Sequence, residues 1–238
     1  RDLHHSIRRQ RQMCIRDRKE KIINSWRPLL ARSQDEDASL MAFYKILQSS
    51  INQINDIDIL YTYSLGAEKA KNYDEMEKTL RRIIQKKPND KNALNALGYS
   101  FADRGIRLTE AVNLLEKAHS LAPNDMYILD SLAWANFRLG KTSLAIEQLS
   151  KAFETKPEAE IGAHLGEALW VNQDRKGADA AWRKAEALDA NNKTLKDTMA
   201  RLWPDRVPSP SKKSPQLWDG RFAVKVSGKD SKNGGSGA

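Results

Sequence analysis

Pro88, Pro123 and Pro157 stand 35 and then 34 residues apart, and each closes an alanine-rich segment with helical apolar spacing. A fourth segment of the same kind ends near Ala190 without a proline. A unit of this length holds a helix, a turn and a second helix. It cannot bury its apolar face alone and must stack on copies of itself. The spacing therefore predicts an all-α fold: a right-handed α-solenoid of stacked helix–turn–helix repeats over residues 57–190, with one further helix over about 192–203 covering the last unit.

Aligning the units on their small residues sharpens the pattern. The second unit has Leu94, Leu97, Gly98 and Phe101 on its first helix, then Ala111, Leu115 and Ala118 on its second. The third has Leu129, Leu132 and Ala133, then Ala145, Leu149 and Ala152; the fourth has Leu165, Gly166 and Leu169, then Ala178, Trp182 and Ala185. The first is looser, with Leu60, Tyr63 and Ser64, then Met76, Leu80 and Ile83. Apolar residues three and four apart give each helix one buried face. The small residue lets the paired helix approach, and the proline ends the second helix because it lacks an N–H and disfavours helix in the residue before it.

These residues resemble the tetratricopeptide repeat family. Leu94, Leu97, Gly98, Phe101, Ala111, Leu115, Ala118 and Pro123 fill the signature positions of one repeat in order, and the extra residue of the 35-residue unit sits in its turn, Gly105-Ile106-Arg107-Leu108. The resemblance implies a protein that binds other proteins and is not an enzyme; the alternatives are a nucleic-acid-binding helical repeat and a non-catalytic appendage of an enzyme domain outside this piece.

Charge bears on the partner class. The chain carries a net +9, but residues 1–32 hold ten Lys/Arg against three Asp/Glu and residues 204–238 hold seven against three, which leaves −2 on the body between. A basic total without a basic body argues against nucleic acid as the partner. Cys14 is the single cysteine, so neither an internal disulfide nor a Cys-based metal site can form. His119 and His164 lie one per helix without metal-ligand spacing and are expected to be solvated or packed between helices. No metal, cofactor or catalytic set is expected, and no apolar run is long enough to span a membrane as a helix. Glu167, three residues from His164, reads as an ordinary neighbour on a solvated helix.

The ends read differently from the body. Residues 1–18 look like a translated sequencing adapter and carry no function. Residues 19–56 read as a degenerate N-terminal helical repeat, with Ile22, Ile23, Trp26, Leu29 and Leu30 as one stripe and residues 38–53 as its second helix. After the solenoid of residues 57–203, residues 204–216 have the Pro/Ser/Lys composition of a linker. In residues 217–238, Phe222, Val224 and Val226 alternate as in a strand, which would be the truncated start of a β domain. The tails are expected to be disordered or extended and not to fold onto the solenoid. Without an initiator Met or a signal sequence at Arg1, the chain is expected to be a piece of a longer protein.

Two further resemblances narrow the expectation. Ala93-Leu94-Asn95-Ala96-Leu97-Gly98-Tyr99, Leu129-Asp130-Ser131-Leu132-Ala133-Trp134 and Ala163-His164-Leu165-Gly166-Glu167-Ala168-Leu169-Trp170 resemble the C-terminal repeats of exported proteobacterial lipoproteins, adaptors of a periplasmic C-terminal-processing protease. Trp218-Asp219-Gly220-Arg221-Phe222-Ala223-Val224-Lys225-Val226 resembles the opening strand of the outer-membrane lipoprotein receptor of the Lol pathway. They imply a scaffold of the bacterial envelope, in the periplasm or at the outer membrane, that presents substrates to a protease.

In such an array the first helices line the concave groove. Their non-core positions give the expected protein-binding residues: Tyr61; Asn92, Asn95 and Tyr99; Tyr127, Asp130, Trp134 and Arg138; Glu167 and Trp170. Tyr and Trp offer large contact area at low rotamer cost, and Asn95 offers a donor and an acceptor to an extended backbone. Asp130 and Arg138, two turns apart on one helix, are expected to hold opposite charges of a ligand. A packing role between repeats is the alternative for Trp134 and Trp170.

Overall fold

A computed structural model describes residues 36–205. Ten α-helices follow one another, with no strand among the described residues: α1 (Glu36–Leu47), α2 (Ile57–Lys69), α3 (Tyr73–Lys86), α4 (Lys91–Arg104), α5 (Leu108–Leu121), α6 (Met126–Arg138), α7 (Thr142–Thr155), α8 (Ala159–Val171), α9 (Arg175–Asp189) and α10 (Lys193–Leu202). Helices α2 to α9 pair as four hairpins, and each second helix also packs on the first helix of the next unit. First helices touch along the array, α4 on α6, α6 on α8, and α8 on α10. This is the α-solenoid that the proline spacing predicts. The expectations for residues 1–35 and 206–238 lie outside the described residues.

The prolines act as the sequence implies. Lys87, Ala122, Lys156 and Trp203 each precede a proline and cap α3, α5, α7 and α10, and all four leave helical geometry with φ of −137°, −147°, −135° and −147°. The clash between a proline ring and the preceding residue pushes that residue out of the α region. At the other ends, Asp56, Asn72, Asp90, Asp174 and Asn192 accept a backbone N–H three residues on, as N-caps.

The hairpin turns share a feature that apolar spacing does not show. Lys71, Gly105, Gly140 and Gln173 occupy the corresponding slot of the four units, and all are left-handed, with φ of 57°, 68°, 89° and 67°. Glycine takes this conformation without strain, whereas an L side chain does not. The inserted residue of the second unit is absorbed by a further left-handed residue, Arg107 at φ 46°.

Packing explains the small residues. A Cβ on Gly98 would lie 2.6 Å from Leu115, and one on Gly166 would lie 2.1 Å from Nε1 of Trp182. The larger Trp182 replaces the leucine of the other units, is fully buried, and donates its indole N–H to the Ala163 carbonyl at 3.3 Å. Gly66 plays the same part for α1: a Cβ there would meet the Leu40 carbonyl at 2.3 Å. Arg82 of α3 then holds the turn between α1 and α2, donating to the carbonyls of Ile51, Asn52 and Ile54. At the far end Leu195 of α10 is buried against the last hairpin, with Met199 and Trp203 half-buried beside Trp170 and Trp182.

Two substitutions test this account by thermal denaturation. Gly166→Ala is expected to cost about 1–3 kcal/mol, the usual range for overpacking a close contact. Gln173→Gly is expected to raise stability by up to about 1 kcal/mol, because it relieves a left-handed L residue. A Gly166→Ala protein with wild-type melting would refute the close approach of α8 and α9.

Candidate functional site

The row of first helices carries a polar cleft of about 630 Å³. Four helices build it: Tyr99 and Asp103 from α4, Trp134, Phe137 and Arg138 from α6, His164 and Glu167 from α8, and Lys193, Thr194, Asp197, Thr198 and Arg201 from α10. No single unit contains it. It exists only because consecutive units bring the same helix face into one strip.

Its floor is held by polar pairs that join different units. His164 Nδ1 lies 2.9 Å from Asp130 Oδ1, and both residues are buried, at 2% and 6% exposure. The imidazole stacks on Trp134 with ring centres 4.3 Å apart and planes 18° from parallel. Arg201 donates to Glu167 at 2.7 Å, and Thr198 reaches the same carboxylate oxygen at 3.4 Å. Glu160 accepts from Tyr99 at 3.3 Å and from Thr194 at 3.4 Å. Arg138 donates to the Asp103 carbonyl at 2.9 Å.

Buried charges survive only where they are paired and hydrogen-bonded, and this decides protonation. Burial lowers the pKa of His164, but the charge of Asp130, the hydrogen bond to it, and the charges of Glu160 and Glu167 outweigh burial and raise it above the ordinary 6.5. Burial, followed by the Glu160 carboxylate, pushes the Tyr99 phenol far above its ordinary range and keeps it a donor.

The structure redistributes the expected binding residues. Tyr99, Trp134, Arg138 and Glu167 line the cleft, whereas Tyr61, Asn92, Asn95, Tyr127, Asp130 and Trp170 are not part of its lining. Asp130, Trp134 and Glu167 are corrections as exposed ligand contacts, since each is 5–6% exposed. Asp130 is turned to His164 and not to a ligand, so it does not form a two-charge clamp with Arg138. Glu167 is not on a solvated face either, because α10 covers it and supplies Arg201. Trp134 is packed between Phe137 and His164. Trp170 packs between Trp182 and Trp203, with Arg175 over its ring. Asn92 is exposed; Tyr127 is also exposed, with its hydroxyl on Glu158 at 3.1 Å and Lys156 over its ring. Tyr61 and Asn95 are half-buried.

Sequence reading missed Asp103, Phe137, His164 and the five α10 residues of the cleft. A signal for some of them was present: Asp130 to His164 and Glu167 to Arg201 are both 34 residues, one repeat length, with acid and base complementary.

Comparison with known proteins agrees on the repeat type. No protein-family model matches the chain. The TPR repeat-containing protein PA4667 of Pseudomonas aeruginosa is 45% identical over 125 residues, 52% of this chain and 21% of the relative. Tetratricopeptide repeat protein 13 of Homo sapiens is 22% identical over 123 residues, 50% of this chain and 14% of the relative. The chain thus spans about a fifth of the first relative's length and about a seventh of the second's. Among solved structures, a thermophilic TPR protein of Thermus thermophilus superposes with a TM-score of 0.59 at 19% identity, covering 70% of this chain and 89% of that one. MamA of Desulfovibrio magneticus gives a TM-score of 0.55 at 20% identity, covering 73% and 96%. At these identities the structures speak to the fold alone.

The His164 pair makes stability depend on pH with a definite sign. A histidine whose pKa is raised on folding contributes stability that is fully present below 6.5, and this contribution is lost as pH rises through the higher folded value. The urea midpoint of the wild type is expected to fall as pH rises across that window, and the midpoint of His164→Gln to change less. Equal slopes for the two proteins would show that His164 does not titrate in this pair.

Proposed function

We propose that this chain, whose repeats are tetratricopeptide repeats, is a protein-binding scaffold that seats a partner segment in the cleft along its first helices. The observation that supports this most is the construction of the cleft. Four alternate helices, α4, α6, α8 and α10, line one polar strip whose floor is locked by pairs between units, while Asp103, Lys193 and Asp197 stand exposed at its edge. A rigid floor with polar groups at the rim suits an extended segment, because little ordering is left to be done on binding. The acids and bases of the floor hold one another, which suits a scaffold better than a catalyst.

The setting proposed for this scaffold is the bacterial envelope, periplasmic or at the outer membrane, with substrates presented to a C-terminal-processing protease. What supports it is the resemblance of residues 57–203 to adaptor lipoprotein repeats; the 45% identity to a Pseudomonas protein fits a bacterial source and goes no further. No helix of the described residues is long and apolar enough to cross a membrane.

Site-specific crosslinking tests the reading. A photoreactive residue at Asp103, in the cleft, is expected to capture a protease or its substrate in a proteobacterial envelope extract; one at Lys184, exposed on α9, is expected not to. Capture from Lys184 alone would move the binding surface off the first helices. Salt-sensitive capture of RNA or DNA would replace a protein partner by a nucleic acid.

A further inference from the structure

Among the cations that line the cleft, three have acids of their own: His164 has Asp130, Arg201 has Glu167, and Lys193 has Asp197. Arg138 is different. No carboxylate among the described residues lies within ion-pair distance of it, and its one hydrogen bond goes to a neutral acceptor, the Asp103 carbonyl. Asp103 also carries a carboxylate, but this is exposed and forms no ion pair with Arg138.

The guanidinium is nevertheless held in place. It lies over the Trp134 ring, 5.6 Å from its centre. Its other flank meets the turn after α4, where a Cβ on Gly105 would fall 2.6 Å from the terminal Nη2. The carbonyl it binds is in the last turn of α4, where carbonyls lack partners within the helix. One hydrogen bond leaves most of its five N–H donors unused. The indole N–H of Trp134 is a second donor there without an acceptor. Buried or half-buried donors without acceptors mark a place where an acceptor belongs.

We propose that Arg138 is the anion anchor of the cleft and receives the carboxylate of an Asp or Glu side chain in an extended partner segment. A planar guanidinium, fixed on an aromatic face, matches a carboxylate in a two-point contact that lysine cannot form. The assignment rests on the reading of the cleft as a binding groove, and it adds the chemistry of the occupant.

The experiment uses the full chain and pools of short fluorescein-labelled peptides of mixed sequence, made in two matched sets. One set contains Asp and Glu; the other has Asn and Gln in their place. Fluorescence anisotropy is expected to show the acidic set binding about tenfold tighter, the scale of a hydrogen bond to a charged partner. In Arg138→Gln, which keeps a donor for the Asp103 carbonyl, that preference should disappear while the amide set binds as before. Arg138→Lys keeps the charge and should retain part of the preference, which guards against a Gln variant that fails to fold. Equal binding of the two sets to the wild type would overturn the anchor and leave the groove standing. An equal loss of both sets in Arg138→Gln, with its helical circular dichroism unchanged, would make Arg138 a packing residue and also overturn it. If neither set binds the wild type, the groove reading itself fails, and the anchor with it.

Discussion

A hairpin of this protein leaves one apolar face bare until the next hairpin covers it. Leu97, Leu132 and Leu165 are buried in clusters that draw on more than one unit, so each unit's core is completed by its neighbours. Burial at roughly 25 cal/mol per Å² makes an uncovered face costly. The left-handed turns, the proline stops and the glycine contacts all serve this stacking, because each sets where the next helix can lie.

Apolar packing alone is tolerant of small shifts between helices. The polar pairs are not. Asp130 with His164 and Glu167 with Arg201 link residues one repeat apart on neighbouring helices of the row; Asp130, His164 and Glu167 are buried, while Arg201 reaches Glu167 from an exposed position. A shift of either helix would leave a carboxylate without a partner in a poorly hydrated site, which is expensive. The same pairs form the floor of the cleft, so what sets the register of the stack also shapes its binding surface. α10 extends this pattern: Arg201 and Thr194 meet α8 as the side chains of α8 meet α6, and the helix that covers the last hairpin becomes a wall of the cleft.

Much of the architecture was legible in the chain. Pro88, Pro123 and Pro157 marked the helix ends, and Gly98 and Gly166 marked the close helix contacts, because both residue types act through local sterics. The binding face was less legible. Tyr99 and Arg138 do line the cleft, but Trp134, Asp130 and Glu167 are buried, and Trp170 packs in an aromatic cluster away from it. Helical spacing says which side of a helix a residue is on. It does not say how much of that side the next unit covers.

The sequence by itself determined that the chain forms stacked helical hairpins, where the proline-terminated helices stop, and which small residues admit a neighbour, since these follow from periodicity and short-range sterics. It did not place the end of α1, which stops at Leu47 short of the expected 53. Only the tertiary structure decided which polar residues remain available. A carboxylate such as Glu167 is a ligand contact or a structural ion-pair partner depending on whether an arginine 34 residues away, on another helix, is brought to 2.7 Å. That distance is set by the accumulated stacking of whole units, and no local pattern in the chain encodes it.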